Sequence, residues 1–226
     1  MTTAPVQIPA ITEANYRRYL KALLTGDRNR CTAVLEEQLQ QEVPLKTVYL
    51  DLMQRAMYEV GTLWERNLVS VATEHLASAT TERLLALVYP QLFTLPHKDR
   101  RAIITCVPHE YHQIGPRMVA DFFELHGWHG FSLGANTPTT ALIRMIGERD
   151  PDVVGLSMSL LFNLPQLELM IEAVSREFPT LELLLGGRAF QGDDGGRQAR
   201  EELIRRYPQA RYFGTLDQLE SYLTSV

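Results

Sequence analysis

The chain has little of what marks a secreted, membrane-bound or nucleic-acid-binding protein. Only two of its 226 residues are cysteine, Cys31 and Cys106. They stand far apart, and the second lies in a β-prone run, so a disulfide framework is excluded and both are expected to be reduced and buried in a cytoplasmic protein. No apolar run reaches the ~18–20 residues of a membrane span. Residues 1–10 lack the charged start and apolar core of a signal peptide and read as disordered. There is no Lys/Arg-rich block, and the net charge is −5 with a pI near 5.7, so direct DNA or RNA binding is not expected. No internal repeat or low-complexity tract is present. Asp193-Asp194, in the Gly/Asp-rich loop 191–196, lacks the ligand spacing of a calcium loop. What remains, 45% hydrophobic and 22% charged residues, is an ordinary globular balance with length for one large or two small domains.

Two patterns divide the chain. From Thr12 to about Leu95 helical periodicity dominates and four helices are expected. These are Glu13–Leu24, ending at Gly26-Asp27; Arg28–Gln41, ending before Pro44; Leu45–Trp64; and one from an N-cap at Ser70 to Val88 before Pro90. In the third, Val48, Leu52, Ala56 and Val60 share one face. Tyr16, Tyr19 and Leu20 are spaced for core or oligomer packing. Short connections argue an antiparallel four-helix bundle over residues 1–96. Residues 94–100 read as a linker. Beyond it strands (102–107, 129–133, 152–158, 181–185, 211–213) alternate with helices (115–126, 138–149, 165–177, 197–206, 215–224). That alternation argues a Rossmann-like, flavodoxin-like parallel sheet with helices on both faces over residues 97–226.

Loops at the carboxyl edge of such a sheet bind ligands, and three of them carry marked residues. After the first strand comes Glu110-x-His112-x-x-Gly115. The imidazole can ligate a metal through one nitrogen while the carboxylate holds the other. After the third strand come Ser157 and Ser159, and after the fourth Gly186-Gly187, where backbone can approach a ligand closely. This set resembles the cobalamin-binding domain of methionine synthase, corrinoid methyltransferase proteins and adenosylcobalamin mutases, over about residues 100–226. The resemblance implies His112 as the lower axial cobalt ligand, with Glu110 orienting it and Gly115 opening the next helix. Ser157, Ser159, Gly186 and Gly187 would line a slot for the nucleotide tail. Glu110 stands where many members have Asp, and Ser159 where they have Leu.

In the helical half the pattern is Trp64-x9-Glu74-His75. Joined to E-x-H-x-x-G, to G-G-R-A-F at 186–190, to Gly26-Asp27 and to Tyr58-Glu59-Val60-Gly61, it resembles the adenosylcobalamin photoreceptor regulators of the CarH type. The resemblance implies a Trp64 that caps the adenosyl group, with Glu74 and His75 shaping the upper pocket. Those regulators carry a MerR-type DNA-binding module for which residues before the first helix leave no room, so the chain resembles their light-sensing half. Where well-known members place a cobalt-capturing His after the Trp, this chain has Glu65, a harder ligand. The resemblance implies a sensor rather than an enzyme, with no catalytic residue, and the lack of a DNA-reading helix with the net charge of −5 leaves direct DNA binding unexpected. Light would cleave the Co–C bond of adenosylcobalamin and change a homo-oligomer or the contact with a separate regulatory protein. A corrinoid methyl carrier of a methyltransferase system is the alternative, and storage or delivery a third reading. A subset of these sensors adds a bilin, for which nothing in the sequence marks a site. His126 and His129 flank Gly127-Trp128 and are expected at the surface, as are His97 and His109.

Overall fold

Three short polar side chains begin the helices of the first half. Thr12 Oγ1 accepts the Asn15 N–H at 3.2 Å, Asp27 Oδ1 that of Arg30 at 3.0 Å, and Ser70 Oγ that of Thr73 at 3.1 Å, each satisfying a donor the helix leaves unpaired. They open α1 (Glu13–Thr25), α2 (Arg28–Gln40) and α4 (Val71–Val88). Gly26, left-handed at φ 71°, closes α1. The third helix, α3, is composite: an α-helical start (Leu45–Thr47), a π-helical stretch (Val48–Gln54) and an α-helical end (Arg55–Glu65). The π stretch is absent from the sequence reading, because i→i+5 bonding leaves no periodicity distinct from i, i+4 over seven residues. It widens the buried stripe to adjacent pairs, so Val48, Tyr49, Leu52 and Met53 are all buried, with Ala56 and Val60 continuing below them.

The computed structural model describes residues 9–192 and 195–225. Residues 1–8, expected to be disordered, and the Asp193-Asp194 pair lie outside the described residues. The chain divides after Pro90 into two units. In the first, α1 packs on α2, α3 and α4, around Tyr16, Tyr19, Leu23, Val34, Leu35, Leu84, Leu85 and Val88. Tyr16 and Tyr19 are thus core residues. The second unit begins at Gln91, so residues 94–100 belong to it. There Lys98 N–H donates to Gly127 O at 2.6 Å, and the His97 ring lies 4.2 Å from that of His129.

The second unit alternates β1 (Arg101–Cys106), α5 (Ile114–Leu125), β2 (His129–Gly134), α6 (Thr139–Arg149), β3 (Val153–Ser157), α7 (Leu164–Glu177), β4 (Glu182–Gly186), α8 (Gly196–Arg206), β5 (Ala210–Tyr212) and α9 (Leu216–Leu223). The strands form one parallel sheet in the order β2-β1-β3-β4-β5. Right-handed crossovers place α5 on one face and α6, α7 and α8 on the other. On the latter, Leu142, Ile146, Leu167, Ile171 and Leu203 pack on Ile103, Val154, Leu156, Leu183 and Leu185. The chain leaves β1 towards β2 and leaves β3 in the opposite direction. The crevice at their carboxyl ends is therefore the topological switch point, where ligands bind in open sheets.

The Ser70 cap gives a direct check on the helical half. Ser70→Ala should lower the stability of the first unit by about 1 kcal/mol, measured as a shift in the urea transition followed by helical circular dichroism.

Candidate functional site

The loop after β1 is pinned before it reaches His112. Glu110 N–H donates to Val107 O at 3.1 Å, which closes a tight turn through His109, left-handed at φ 65°. The loop after β2 locks onto that turn. His109 N–H donates to Asn136 Oδ1 at 2.8 Å, and Asn136 N–H to Glu110 O at 2.8 Å. Asn136 is itself left-handed, a conformation that Asn tolerates better than most residues. Beneath them the buried Thr105 and Thr137 hydroxyls bond at 2.6 Å.

This scaffold presents the Glu110 carboxylate, 0% exposed. One oxygen, Oε1, accepts the His112 backbone N–H at 3.1 Å and also bonds His112 Nδ1. The other, Oε2, accepts the N–H groups of Ser159 at 2.9 Å and Leu160 at 3.1 Å, and Asn163 Nδ2 at 3.2 Å. Burial by itself raises the pKa of this acid. The hydrogen bonds from His112 and Ser159 outweigh burial and bring it down to about 2. Glu110 is therefore an anion that only accepts. The bond to Nδ1 must be donated by the ring, which leaves the Nε2 lone pair for a ligand. The His112 side chain is 45% exposed.

The surroundings fit a corrinoid. Among the described residues no group of three or more His, Cys, Asp or Glu side chains is placed to hold a metal ion. A metal at His112 whose other ligands came with it, as those of cobalt come with a corrin ring, would be compatible with this lining. Gly115, at the start of α5, has no atom within 4 Å of where a Cβ would stand. Ser157 pairs in register with Gly186 at the ends of β3 and β4. At Gly187, φ is 108° and a Cβ would fall 2.1 Å from Met158 O, so only glycine lets the two strand ends approach. Ser159 meets Glu110 through its backbone. Asn163 escaped the sequence reading because an Asn ahead of Leu-Pro reads as an ordinary helix cap. It makes no side-chain cap bond on α7 and turns to Glu110 instead.

In the first unit Trp64 is 46% exposed, whereas Tyr16, Tyr19 and Tyr49 are buried. It is not bundle core. Glu74 stands in the first turn of α4, and His75 follows it directly. Glu74 Oε2 meets His75 Nδ1 at 2.8 Å, and Glu74 Oε1 accepts from Ser78 Oγ at 2.8 Å. The remaining histidines are used structurally or lie apart from this chemistry. His126 Nδ1 meets Phe122 O at 2.8 Å, His97 Nε2 meets Glu124 at 2.7 Å, and His129 is half-buried against His97 rather than at the surface. His109 is exposed.

Glu110→Gln turns an amide NH₂ toward groups that are all donors. It should cost about 2–3 kcal/mol at neutral pH. The folded pKa lies below the ordinary value of 4.5, so the carboxylate stabilises fully above that pH and loses its contribution as pH falls toward 2. Urea titrations across this window should show an acid-dependent loss in the native protein that Glu110→Gln lacks.

The comparisons with known proteins agree with this geometry. Two family models, each described as a B12 binding domain, match residues 16–89 and 100–201, one in each unit and between them well over half of the chain. The chain is 31% identical over 139 residues to the HTH-type transcriptional repressor CarH of Myxococcus xanthus, covering 61% of this chain and 45% of that protein. It is 31% identical over 119 residues to the repressor CarA of the same organism, covering 53% and 41%. It thus spans less than half the length of these relatives. The monomethylamine corrinoid protein of Methanosarcina barkeri has the same fold, with a TM-score of 0.77 at 13% identity over 96% of this chain and 100% of that one. Neither the models nor these relatives support a bilin. The chain belongs to the B12-binding-domain proteins, with a helical unit and a parallel α/β unit that each match that family.

Proposed function

We propose that this protein is an adenosylcobalamin-dependent light sensor and not an enzyme. The observation that carries this reading is the exposed Trp64, placed ahead of Glu74 and His75 in a chain similar to two transcriptional repressors. When bound, adenosylcobalamin supplies a Co–C bond that visible light breaks. His112, held by Glu110, would ligate the cobalt of the bound cofactor. Ser157, Ser159, Gly186 and Gly187 line the slot for the nucleotide tail, and Gly115 leaves room beside the ligand. By the resemblance to those regulators, Trp64 would cover the adenosyl group, with Glu74 and His75 beside it. A broad indole excludes water from that group and loses its packing partner when the group departs. The net charge of −5 disfavours binding to DNA by this chain itself, so the signal leaves through self-association or a regulatory protein partner. Light biases that equilibrium only by the difference in cofactor contacts between the two states. A methyl-carrying corrinoid component needs the same fold and an upper face open to partner enzymes, which a Trp–Glu–His cover fits poorly.

His112→Ala should abolish the imidazole-ligated absorption spectrum and weaken cobalamin binding, whereas an unchanged spectrum removes His112 as the ligand. Trp64→Ala should weaken adenosylcobalamin binding at least several-fold more than methylcobalamin binding. Equal losses would assign Trp64 a structural role. The adenosylcobalamin complex should change its sizing profile on illumination. Identical profiles in darkness and light, with the Co–C bond shown spectroscopically to be broken, would favour the methyl carrier.

A further inference from the structure

The segment that carries His112 is gripped at both ends by successive amides of the loop after β2. At the near end Asn136 N–H donates to Glu110 O at 2.8 Å. At the far end Ala135 N–H donates to Gln113 Oε1 at 3.1 Å. Between the grips, Gln113 N–H donates to Tyr111 O at 3.0 Å, which closes a γ-turn with His112 at its centre. The Gln113 carbonyl then accepts from Arg117 N–H at 3.0 Å as α5 begins. Gln113 stands at the N-cap of that helix, yet its side chain makes no cap bond there. Glutamine is not among the residues favoured for capping, and here its oxygen serves the neighbouring loop instead. Gly134, left-handed at φ 76°, lets that loop come in close, since a Cβ there would stand 3.0 Å from Gln113 Oε1.

From this double grip we infer that Gln113 is a positioning residue for the metal ligand, fixing the main chain from which the His112 imidazole extends. The inference rests on the cobalamin reading of the site but not on its light response. Glu110 holds the ring through Nδ1, which sets the tautomer and the ring orientation. That bond does not by itself fix the backbone on the α5 side of the ligand. With the Gln113 oxygen removed, the grip of the β2 loop remains only on His109 and Glu110. The turn then pivots about that end, and Nε2 is presented over a range of positions instead of one. A ligand bond is directional, so the spread weakens it. The oxygen works purely as an acceptor. A carboxylate can replace it, and the thioether of Met, of similar length, accepts only weakly.

The test uses the full chain, its histidines isotope-labelled at nitrogen, loaded with cob(II)alamin. An axial imidazole from the protein splits the paramagnetic cobalt signal in a pattern that the label separates from that of the cofactor's own base. The native protein and Gln113→Glu should show the histidine pattern in full. In Gln113→Met the ratio of histidine-ligated to unligated cobalt should fall about five- to ten-fold, the worth of one such hydrogen bond, with cobalamin still retained. In the metal-free chain, hydrogen exchange at the Ala135 amide should quicken in Gln113→Met and not in Gln113→Glu. Circular dichroism reports the folding of each variant, and the exchange measurement stands even if Gln113→Met loads poorly. If Gln113→Met keeps the native pattern, or Gln113→Glu loses it equally, the inference falls and His112 stands as the ligand. An Ala135 amide indifferent to Gln113→Met overturns it as well. If the native protein shows no histidine pattern, the reading of His112 itself fails, and the inference goes with it.

Discussion

A single buried carboxylate organises the carboxyl edge of the sheet. The loops after β1 and β3 leave the sheet in opposite directions, and nothing in the strand pairing itself holds their tips together. Glu110 does so, drawing its donors from both loops: His112 from the first, and Ser159, Leu160 and Asn163 from the second. A buried anion without partners is among the costliest groups in a protein interior. This carboxylate is tolerable only while both loops stay in place, so the cost of exposing it keeps the crevice in shape. The loop after β2 supports it from the other side through Asn136. The imidazole of His112 is thereby held by an acid that is itself held by backbone.

Much of this was legible because it depends on local chemistry. Ser70 before an apolar run, Gly26 after one, and strands spaced by helices of 11–14 residues each leave a signature that tertiary context did not override. The Glu110–His112 pairing was legible for the same reason, since two residues of separation bring the two side chains within reach whatever the fold around them. What escaped depends on contacts between distant segments. Asn163 carries the composition of a helix cap, and only the three-dimensional proximity of the β1 and β3 loops redirects it to the carboxylate. The bond between Thr105 and Thr137 joins residues from two elements with no sequence relation. The left-handed turns at His109 and Asn136 lack the glycine that would announce them. The boundary between the units was harder still, because polar residues near 94–100 read as linker although His97 and Lys98 bond into the α/β unit.

The two carboxylate–imidazole pairs differ in how firmly they are held. Glu110 is enclosed and met by backbone amides on both oxygens, so the direction of His112 is fixed by the fold. Glu74 is met by one serine on the surface of a single helix. Its imidazole can turn about its own side-chain bonds with little effect on packing. One pair is fixed in position by the fold, and the other is left room to adjust.

The π-helical stretch bears on Trp64 in a way that is geometric rather than chemical. Successive residues of an α-helix are rotated by about 100° about its axis. The wider turns over Val48–Gln54 therefore set the angular phase of everything that follows in the same helix. Were the same seven residues wound as regular α-helix, the segment Arg55–Glu65 would swing by roughly that angle, and the indole would leave the side of the bundle it now occupies. The heading of Trp64 is thus written more than two turns upstream of it, in a stretch that the burial of Val48, Tyr49, Leu52 and Met53 holds in place.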